Sequence, residues 1–295
     1  MKIGFADYYL DNWHCNQYPG FLREAAAKYG IDAEVTHCFA MKDRAPEGAE
    51  GAEGVNSAEW AAERGMILCG SMEELIGSVD AVCVICADDA SYHEQVAKLP
   101  LMSGKPVFVD KTFAPDLETA KRMFALAGEH GTPVFSSSVE RYNTDLIKYK
   151  EEHPKLPAFT GTVGPHSIAR YAVHQIEPIV ALMGTGAKRV KGYGVGDTVT
   201  QMIIDYGGGR IASFLQSPQP YAEFFFCVSE AGRRREGAHL NSGEDKYINL
   251  ARVILEFFRS GKPPVTKEET LEVMALIDML HVVRERPDEW IEVKR

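Results

Sequence analysis

Lys111 closes the segment Gly104-Lys105-Pro106-Val107-Phe108-Val109-Asp110-Lys111-Thr112. The apolar run Val107–Val109 predicts a buried strand of a parallel sheet. Pro115 and Asp116 open the helix after it. In an open α/β sheet, ligands collect at the carboxyl ends of the strands, so the Asp110-Lys111 pair falls where a ligand crevice forms. A lysine partly shielded from water there can donate or shuttle a proton. The same window also suits a surface lysine paired with a neighbouring acid.

A second group lies in Arg170-Tyr171-Ala172-Val173-His174-Gln175-Ile176-Glu177-Pro178. His174 and Glu177 are three apart and share one face of a helix. A helix starting near His174 keeps Pro178 within its first turn or so, where the missing N–H costs little. A helix start lowers the pKa of His174 and Glu177 raises it again. Such a pair serves acid–base chemistry or a plain structural hydrogen bond. A third group, Asp88-Asp89-Ala90-Ser91-Tyr92-His93, follows the strand Ala81–Cys86 and sits at another carboxyl strand end. His93, in the first turns of the next helix, either approaches a ligand or faces solvent.

The N-terminal turn bears on cofactor binding. A dinucleotide fingerprint puts glycines at positions 4, 6 and 9, where this chain has Gly4, Ala6 and Tyr9. The next helix is expected from about Tyr18. That leaves a long loop, Asp7–Gln17, in which Asp7 and Asp11 oppose a pyrophosphate and Tyr8, Tyr9, Trp13 and His14 supply rings. The loop is either a rebuilt cofactor turn, with Gly4, Ala6, Asp7 and Tyr8 lining it, or a surface loop packed on its own aromatics. The second strand ends His37-Cys38-Phe39 without an acid for the adenine ribose. Lys42 and Arg44 beyond it suit a 2′-phosphate or a solvated loop.

The elements that position these groups alternate in type. Strands are expected at Lys2–Ala6, Ala33–Phe39, Val79–Cys86, Val107–Val109 and 133–135. Helices are expected at Pro19–Tyr29, Ser57–Arg64, Ser71–Ile76 with a capping box, Ser91–Ser103 and after Pro115. This alternation predicts a doubly wound parallel sheet. Strand-rich sequence sets in after about residue 143, and Met202–Tyr206, Gly207-Gly208-Gly209 and Arg210–Phe214 read as a hairpin. The second domain is therefore α+β with a large, mostly antiparallel open sheet. We place the domains at 1–122 and 123–295, with the helix 266–284 packing back on the first.

Bulk properties narrow the function classes. The chain is 45% hydrophobic and 25% charged, ordinary for a globular protein. A net charge of −10 argues against nucleic acid or an anionic membrane as partner. No stretch approaches the roughly 18 apolar residues of a membrane span, and Met1–Ala6 reads as a strand and not as a signal region. A cytoplasmic protein is expected. Cys83 and Cys86 form a CxxC within a strand, where residues three apart point to opposite faces. Two small buried thiols are expected there, and no metal site.

Taken in order, these segments resemble the glucose–fructose oxidoreductase, inositol dehydrogenase and MocA family across nearly the whole chain. Asp110-Lys111-Thr112 resembles its Glu-Lys-Pro motif. Ser138-Val139-Glu140-Arg141-Tyr142-Asn143 resembles its Arg-containing segment, and His174-x-x-Glu177 with Leu182-x-Gly184 its His-x-x-Asp…Leu-x-Gly helix. The resemblance implies a Rossmann domain, NAD or NADP, and a sugar, polyol or sugar-acid substrate oxidised by hydride transfer. It implies that Lys111 holds the reacting oxygen, that His174 moves the proton, and that the open sheet makes a homodimer or tetramer. Asp88, Asp89, His93 and Asp110 are then expected beside the cofactor, and Arg141 and Glu177 beside the substrate. Many members carry Asp four residues before the histidine. This chain has Arg170, which cannot act as a base but can bind an anionic substrate group. Two alternatives remain open at this stage. One is a carbohydrate sensor that has lost dinucleotide binding; the other is elimination or hydrolysis assisted by a bound, regenerated NAD.

Overall fold

The computed structural model describes residues 1–86, 89–165, 167–219, 223–229, 236–239 and 245–294, the stretch 236–239 as backbone. The chain divides into two compact units, Met1–Ser137 with Tyr247–Thr266, and Ser138–Lys246 with Lys267–Arg295.

The first unit alternates β1 (Lys2–Asp7), α1 (Trp13–Tyr29), β2 (Glu34–Ala40), α2 (Ser57–Glu63), β3 (Ile67–Leu68), α3 (Met72–Ser78), β4 (Ala81–Val84), α4 (His93–Leu101), β5 (Val107–Val109), α5 (Leu117–Glu129) and β6 (Val134–Phe135). Its six strands lie in the order β3-β2-β1-β4-β5-β6, and every pair is parallel. This is the doubly wound Rossmann order, with its switch point between β1 and β4. Ala81–Val84 and Val107–Val109 are fully buried, as expected of strands covered on both faces. A Cβ on Gly4 would lie 2.9 Å from Leu75 Cδ1, so the glycine lets α3 close on β1. Asn12, Asn56, Ser71 and Asp116 cap their helices by accepting the N–H of Cys15, Glu59, Glu74 and Thr119. The reciprocal box forms at Asn56 and Glu59, whereas Glu74 reaches the Gly70 N–H instead of Ser71.

Helix α1 corrects one expectation. It begins at Trp13, not near Tyr18, and carries Pro19 inside. The Asn12 cap fixes the earlier start at the cost of the one intrahelical bond that Pro19 cannot make.

The second unit holds α6 (Thr144–Glu152), β7 (Phe159–Gly164), α7 (Ile168–Met183), β8 (Arg189–Val195), β9 (Val199–Gly207), β10 (Arg210–Gln216), β11 (Phe225–Ser229) and β12 (Glu236–His239). Helix α8 (Asp245–Ser260) follows, then α9 (Lys267–Glu285) and β13 (Ile291–Glu292). Seven strands form the order β12-β11-β7-β10-β9-β8-β13. The β7–β10 pair is parallel and the others antiparallel, so the sheet is mostly antiparallel as the sequence implied. The β9–β10 turn is Gly207-Gly208-Gly209 with φ of 75°, 62° and 82°, values that glycine adopts without a Cβ clash. Ile176 and Val180 of α7 and Leu276 and Leu280 of α9 cover one sheet face, packing with Val190, Met202, Ile204 and Phe214.

Two expectations about this half change. Helix α7 starts at Ile168, capped by Ser167 through the Arg170 N–H, so His174 and Pro178 are interior positions and not first-turn ones. The division falls after Ser137 instead of 122, because α5 and β6 complete the first sheet. From Tyr247 onward α8 joins the first unit, with Phe257 edge-on to Phe135 at 4.8 Å. The last helix, α9, stays with the second unit.

Candidate active site

In the first unit the carboxyl ends of β1, β4 and β5 bring Asp7, Cys86 and Asp110-Lys111 to one edge of the sheet. Asp7 is buried, and its two oxygens are saturated. Oδ1 accepts the N–H of Tyr8 at 2.6 Å and of Tyr9 at 3.3 Å. Oδ2 accepts Asn12 Nδ2 at 3.0 Å, the Cys86 N–H at 3.1 Å and the Cys15 thiol at 3.1 Å. Burial pushes its pKa up to about 6, against the pull of these donors. Asp11 is similarly committed, accepting the N–H of Glu53, Gly54 and Val55, and so orders the loop after β2.

Tyr8 stacks on Tyr92 with centroids 3.7 Å apart and planes 4° from parallel. The pocket they share with Asp7, Tyr9, Asn12, Cys86 and Asp89 measures about 10 Å³, roughly room for one water. Asp89 caps the short turn Ala90–Tyr92 through the Ser91 N–H. Asp88 lies outside the described residues. His93 corrects its expectation: the ring is fully buried, with Nδ1 3.1 Å from Phe113 O and Nε2 2.9 Å from Ile85 O. Burial lowers its pKa more than these carbonyls raise it, and both nitrogens tie α4 to the chain instead of facing a ligand. Gly4 likewise serves helix packing, and Ala6 is buried within β1.

Asp110 is the centre of a cluster that the sequence reading did not assemble. It is fully buried. His14 Nδ1 lies 2.6 Å from Oδ2, and the Tyr18 hydroxyl donates to Oδ1 at 3.1 Å. Burial would raise the Asp110 carboxyl, but His14, Lys111 and the Lys111 N–H outweigh it, and the pKa falls below the ordinary value. His14 and Tyr18 are four apart on α1, a spacing that places both on one face; a helix start at Tyr18 with His14 in the loop before it hid it. Lys111 follows directly, is partly exposed, and is joined to Thr112 by a cis peptide.

In the second unit His174 is partly exposed on α7. Its Nδ1 lies 2.7 Å from Ser138 Oγ, and Phe224 meets the ring edge-on at 5.4 Å. Arg170, also exposed, lies one turn earlier. Glu177 and Arg141 correct the expectation that they meet substrate. Arg141 is 7% exposed and Glu177 2%. Arg141 Nε donates to Glu177 at 2.6 Å and its Nη1 to Glu269 at 2.8 Å. Burial raises the Glu177 carboxyl despite Arg141 beside it. The pair buttresses α7 against α9, and His174 meets Ser138 through Nδ1.

A dinucleotide fits this first unit in part. The strand order and its switch point are those of dinucleotide-binding sheets, and α1 carries no acid in its first turn. The turn itself differs from a glycine cradle. Asp7 holds the amides of Tyr8, Tyr9 and Cys86, and the Tyr8–Tyr92 stack beside them leaves a pocket of about 10 Å³. Among the described residues no group of three or more His, Cys, Asp or Glu side chains is placed to hold a metal ion, and no helix is long and apolar enough to cross a membrane.

Residues 21–138 match the family described as an oxidoreductase family with an NAD-binding Rossmann fold. An uncharacterized oxidoreductase of Escherichia coli, YhhX, is 32% identical over 80 residues, which is 27% of this chain and 23% of that relative. A probable dehydrogenase from Thermotoga maritima superposes with a TM-score of 0.81 at 15% identity over 99% of both chains. A UDP-N-acetylglucosamine 3-dehydrogenase from Acidithiobacillus ferrooxidans gives 0.74 at 19% identity, covering 97% of this chain and 98% of its own. A levoglucosan dehydrogenase complexed with NADH and levoglucosan gives 0.78 at 12% identity over 100% of both. At these identities the structural likeness is one of fold.

Proposed function

We propose, for a chain whose N-terminal unit belongs to the glucose–fructose oxidoreductase, inositol dehydrogenase and MocA family, an NAD(P)-dependent dehydrogenase of a sugar, polyol or sugar-acid derivative. The observation that carries this reading is Lys111 at the carboxyl end of β5 in a sheet of Rossmann order. Bound nicotinamide supplies the hydride acceptor. Lys111 orients and polarises the reacting oxygen, as a compact cation does in a partly dry crevice. His174 exchanges the hydroxyl proton, and Arg170 binds an anionic group of the substrate. The sugar ligands in the names of two structural relatives support the substrate class. Six cysteines, all free, support a reducing, cytoplasmic setting.

A second reading is favoured by one specific observation. Asp7 occupies the turn amides from within, as a carbohydrate-binding regulator without a dinucleotide would allow. Calorimetric titration of nucleotide-free protein with NAD(H) and NADP(H) separates the two. Micromolar binding, followed by reduced-nicotinamide absorbance in a polyol and sugar-acid screen, supports the dehydrogenase. Failure of both cofactors to bind at millimolar concentration overturns it in favour of the regulator.

A further inference from the structure

We propose that Gln175 and Gln216 form a buried hydroxyl-binding subsite of the second unit, which takes one hydroxyl group of a neutral sugar or polyol. The subsite deepens the substrate class inferred above and rests on it. Gln175, on α7, is fully buried, yet neither its amide nitrogen nor its amide oxygen meets a hydrogen-bond partner among the described residues. Gln216, at the end of β10, is 2% exposed, and its Nε2 is unmatched as well. Both ends of the Gln175 amide are unmatched, so its need for one donor and one acceptor holds whichever way the amide is turned.

Sheet register brings the two amides together. Gln216 pairs with Gly164 across the parallel β7–β10 ladder. A Cβ on Gly164 would lie 2.7 Å from Gln175 Nε2 and 2.7 Å from Phe224 Cδ1, so the bare strand end leaves room for the amide and the ring side by side. Thr160 and Thr162, earlier on the same face of β7, bring hydroxyls that are also buried and unmatched. Phe224 meets the His174 ring edge-on at 5.4 Å, and both rings are partly exposed. Phe224 thus borders both the buried amide and the imidazole, and a ligand entering beside His174 reaches the amides by turning that ring aside.

The chemistry of these groups selects the ligand. Ala212 and Phe214, the preceding same-face positions of β10, belong to the apolar core with Ile176 and Val180 of α7, and leucine at 175 or 216 would continue it. An unpaired buried amide is costly where an apolar side chain of the same size is not. Two such amides at one strand end point to a group that both donates and accepts. A hydroxyl does both from one atom. A carboxylate or phosphate only accepts, and an ammonium only donates. The Phe224 ring adds an apolar wall for the C–H groups of the same molecule, the mixture of aromatic lining and few polar groups that small-molecule sites use.

The whole chain, with no cofactor added, is titrated calorimetrically with D-glucose, D-sorbitol and myo-inositol. At least one is expected to bind at millimolar concentration or below. Gln175→Leu and Gln216→Leu should each weaken that binding by at least about tenfold. Gln175→Leu should also melt at or above the wild type, because it removes an unpaired amide without leaving a cavity. A Gln175→Leu variant that melts well below the wild type or fails to fold shows the amide bonded within the fold and overturns the subsite. Binding that is equal in the leucine variants, or absent for all three compounds, overturns it too, as does a crystal structure with the bound compound in which only water meets Gln175 and Gln216. Reduction of NAD(P) by a polyol with KM unchanged in both variants would remove the subsite and leave the dehydrogenase. A polyol held on these amides by a protein that binds neither NAD(H) nor NADP(H) would remove the dehydrogenase and leave the subsite.

Discussion

The Asp7 carboxylate accepts the Cys86 backbone N–H at 3.1 Å and so joins the carboxyl end of β1 to that of β4 at the switch point of the sheet. A buried negative charge there opposes a dinucleotide diphosphate, and it competes for the amides that would hold one. Asp7→Asn is expected to bind NAD(P) more tightly at neutral pH by at least about tenfold, about 1.4 kcal/mol. Wild-type affinity should weaken as pH rises through about 6, because the protonated acid is neutral. Calorimetry across that range checks both. Equal dissociation constants in the two proteins at every pH would remove Asp7 from any part in cofactor binding.

Two buried acids of the first unit should give stability opposite pH dependences. The Asp7 pKa rises from 3.8 unfolded to about 6 folded, so the native state holds the extra proton between those values. Its contribution is present at low pH and is lost as pH rises through that window, by up to about 3 kcal/mol. Asp110 is held below its ordinary value. Its contribution is present above the unfolded pKa and is lost as pH falls through the folded one. Denaturant midpoints measured against pH should therefore flatten between about pH 4 and about pH 6 in Asp7→Asn, and on the acid side of that window in Asp110→Asn. A variant that flattens the opposite arm contradicts the assignment.

Arg141 is read as architecture. Its guanidinium neutralises Glu177 at 2.6 Å and Glu269 at 2.8 Å. Arg141→Met leaves a buried, uncompensated carboxylate and should cost about 3–5 kcal/mol in urea unfolding, whereas Arg141→Met/Glu177→Leu should recover much of that loss. A stable Arg141→Met with a raised KM would return the residue to the substrate.

The sheet of the first unit was readable because each strand is a short apolar run bounded by helix caps and glycines. Lys111 was readable because it ends such a run. The surroundings of these residues were not. Pro19 argued for a late helix start, yet the Asn12 cap outweighs it, and His14 and Tyr18 thereby reach Asp110 from almost a hundred residues away in sequence. Local spacing paired His174 with Glu177, but the long-range Arg141 claims Glu177, and the histidine meets Ser138. Spacing along one helix shows which side chains share a face; it does not show which partners other elements bring to them.

The uncovered face of the second sheet carries Val163, Tyr193, Val195, Ile203, Ile211 and Phe225, all exposed. Lys191, Gln201, Asp205 and Ser213 lie between them on the same face, and a self-complementary pairing of two copies would bring these apolar and polar residues together. Light scattering should find the wild type as a dimer or tetramer. Ile203→Glu/Ile211→Glu places like charges on neighbouring strands of both copies and should yield monomers. A monomeric wild type would end this assignment.

Lys111 and His174 are the side chains proposed to carry the chemistry, and their loss should weaken catalysis far more than folding. Lys111 is partly exposed, but it is one of the charges that hold the buried Asp110 carboxyl below its ordinary value, so its removal should cost some stability. Lys111→Ala should therefore melt below the wild type but stay folded, and lose at least about a hundredfold in kcat/KM, the scale on which a positioned acid–base or electrostatic group acts. His174→Ala should lose a comparable factor, chiefly in kcat, since a proton-transfer group works in the transition state more than in substrate binding. Steady-state kinetics on a substrate found in the cofactor-linked screen, paired with melting curves, decide the matter. Turnover that survives in both folded variants would leave the dehydrogenase without its proposed machinery.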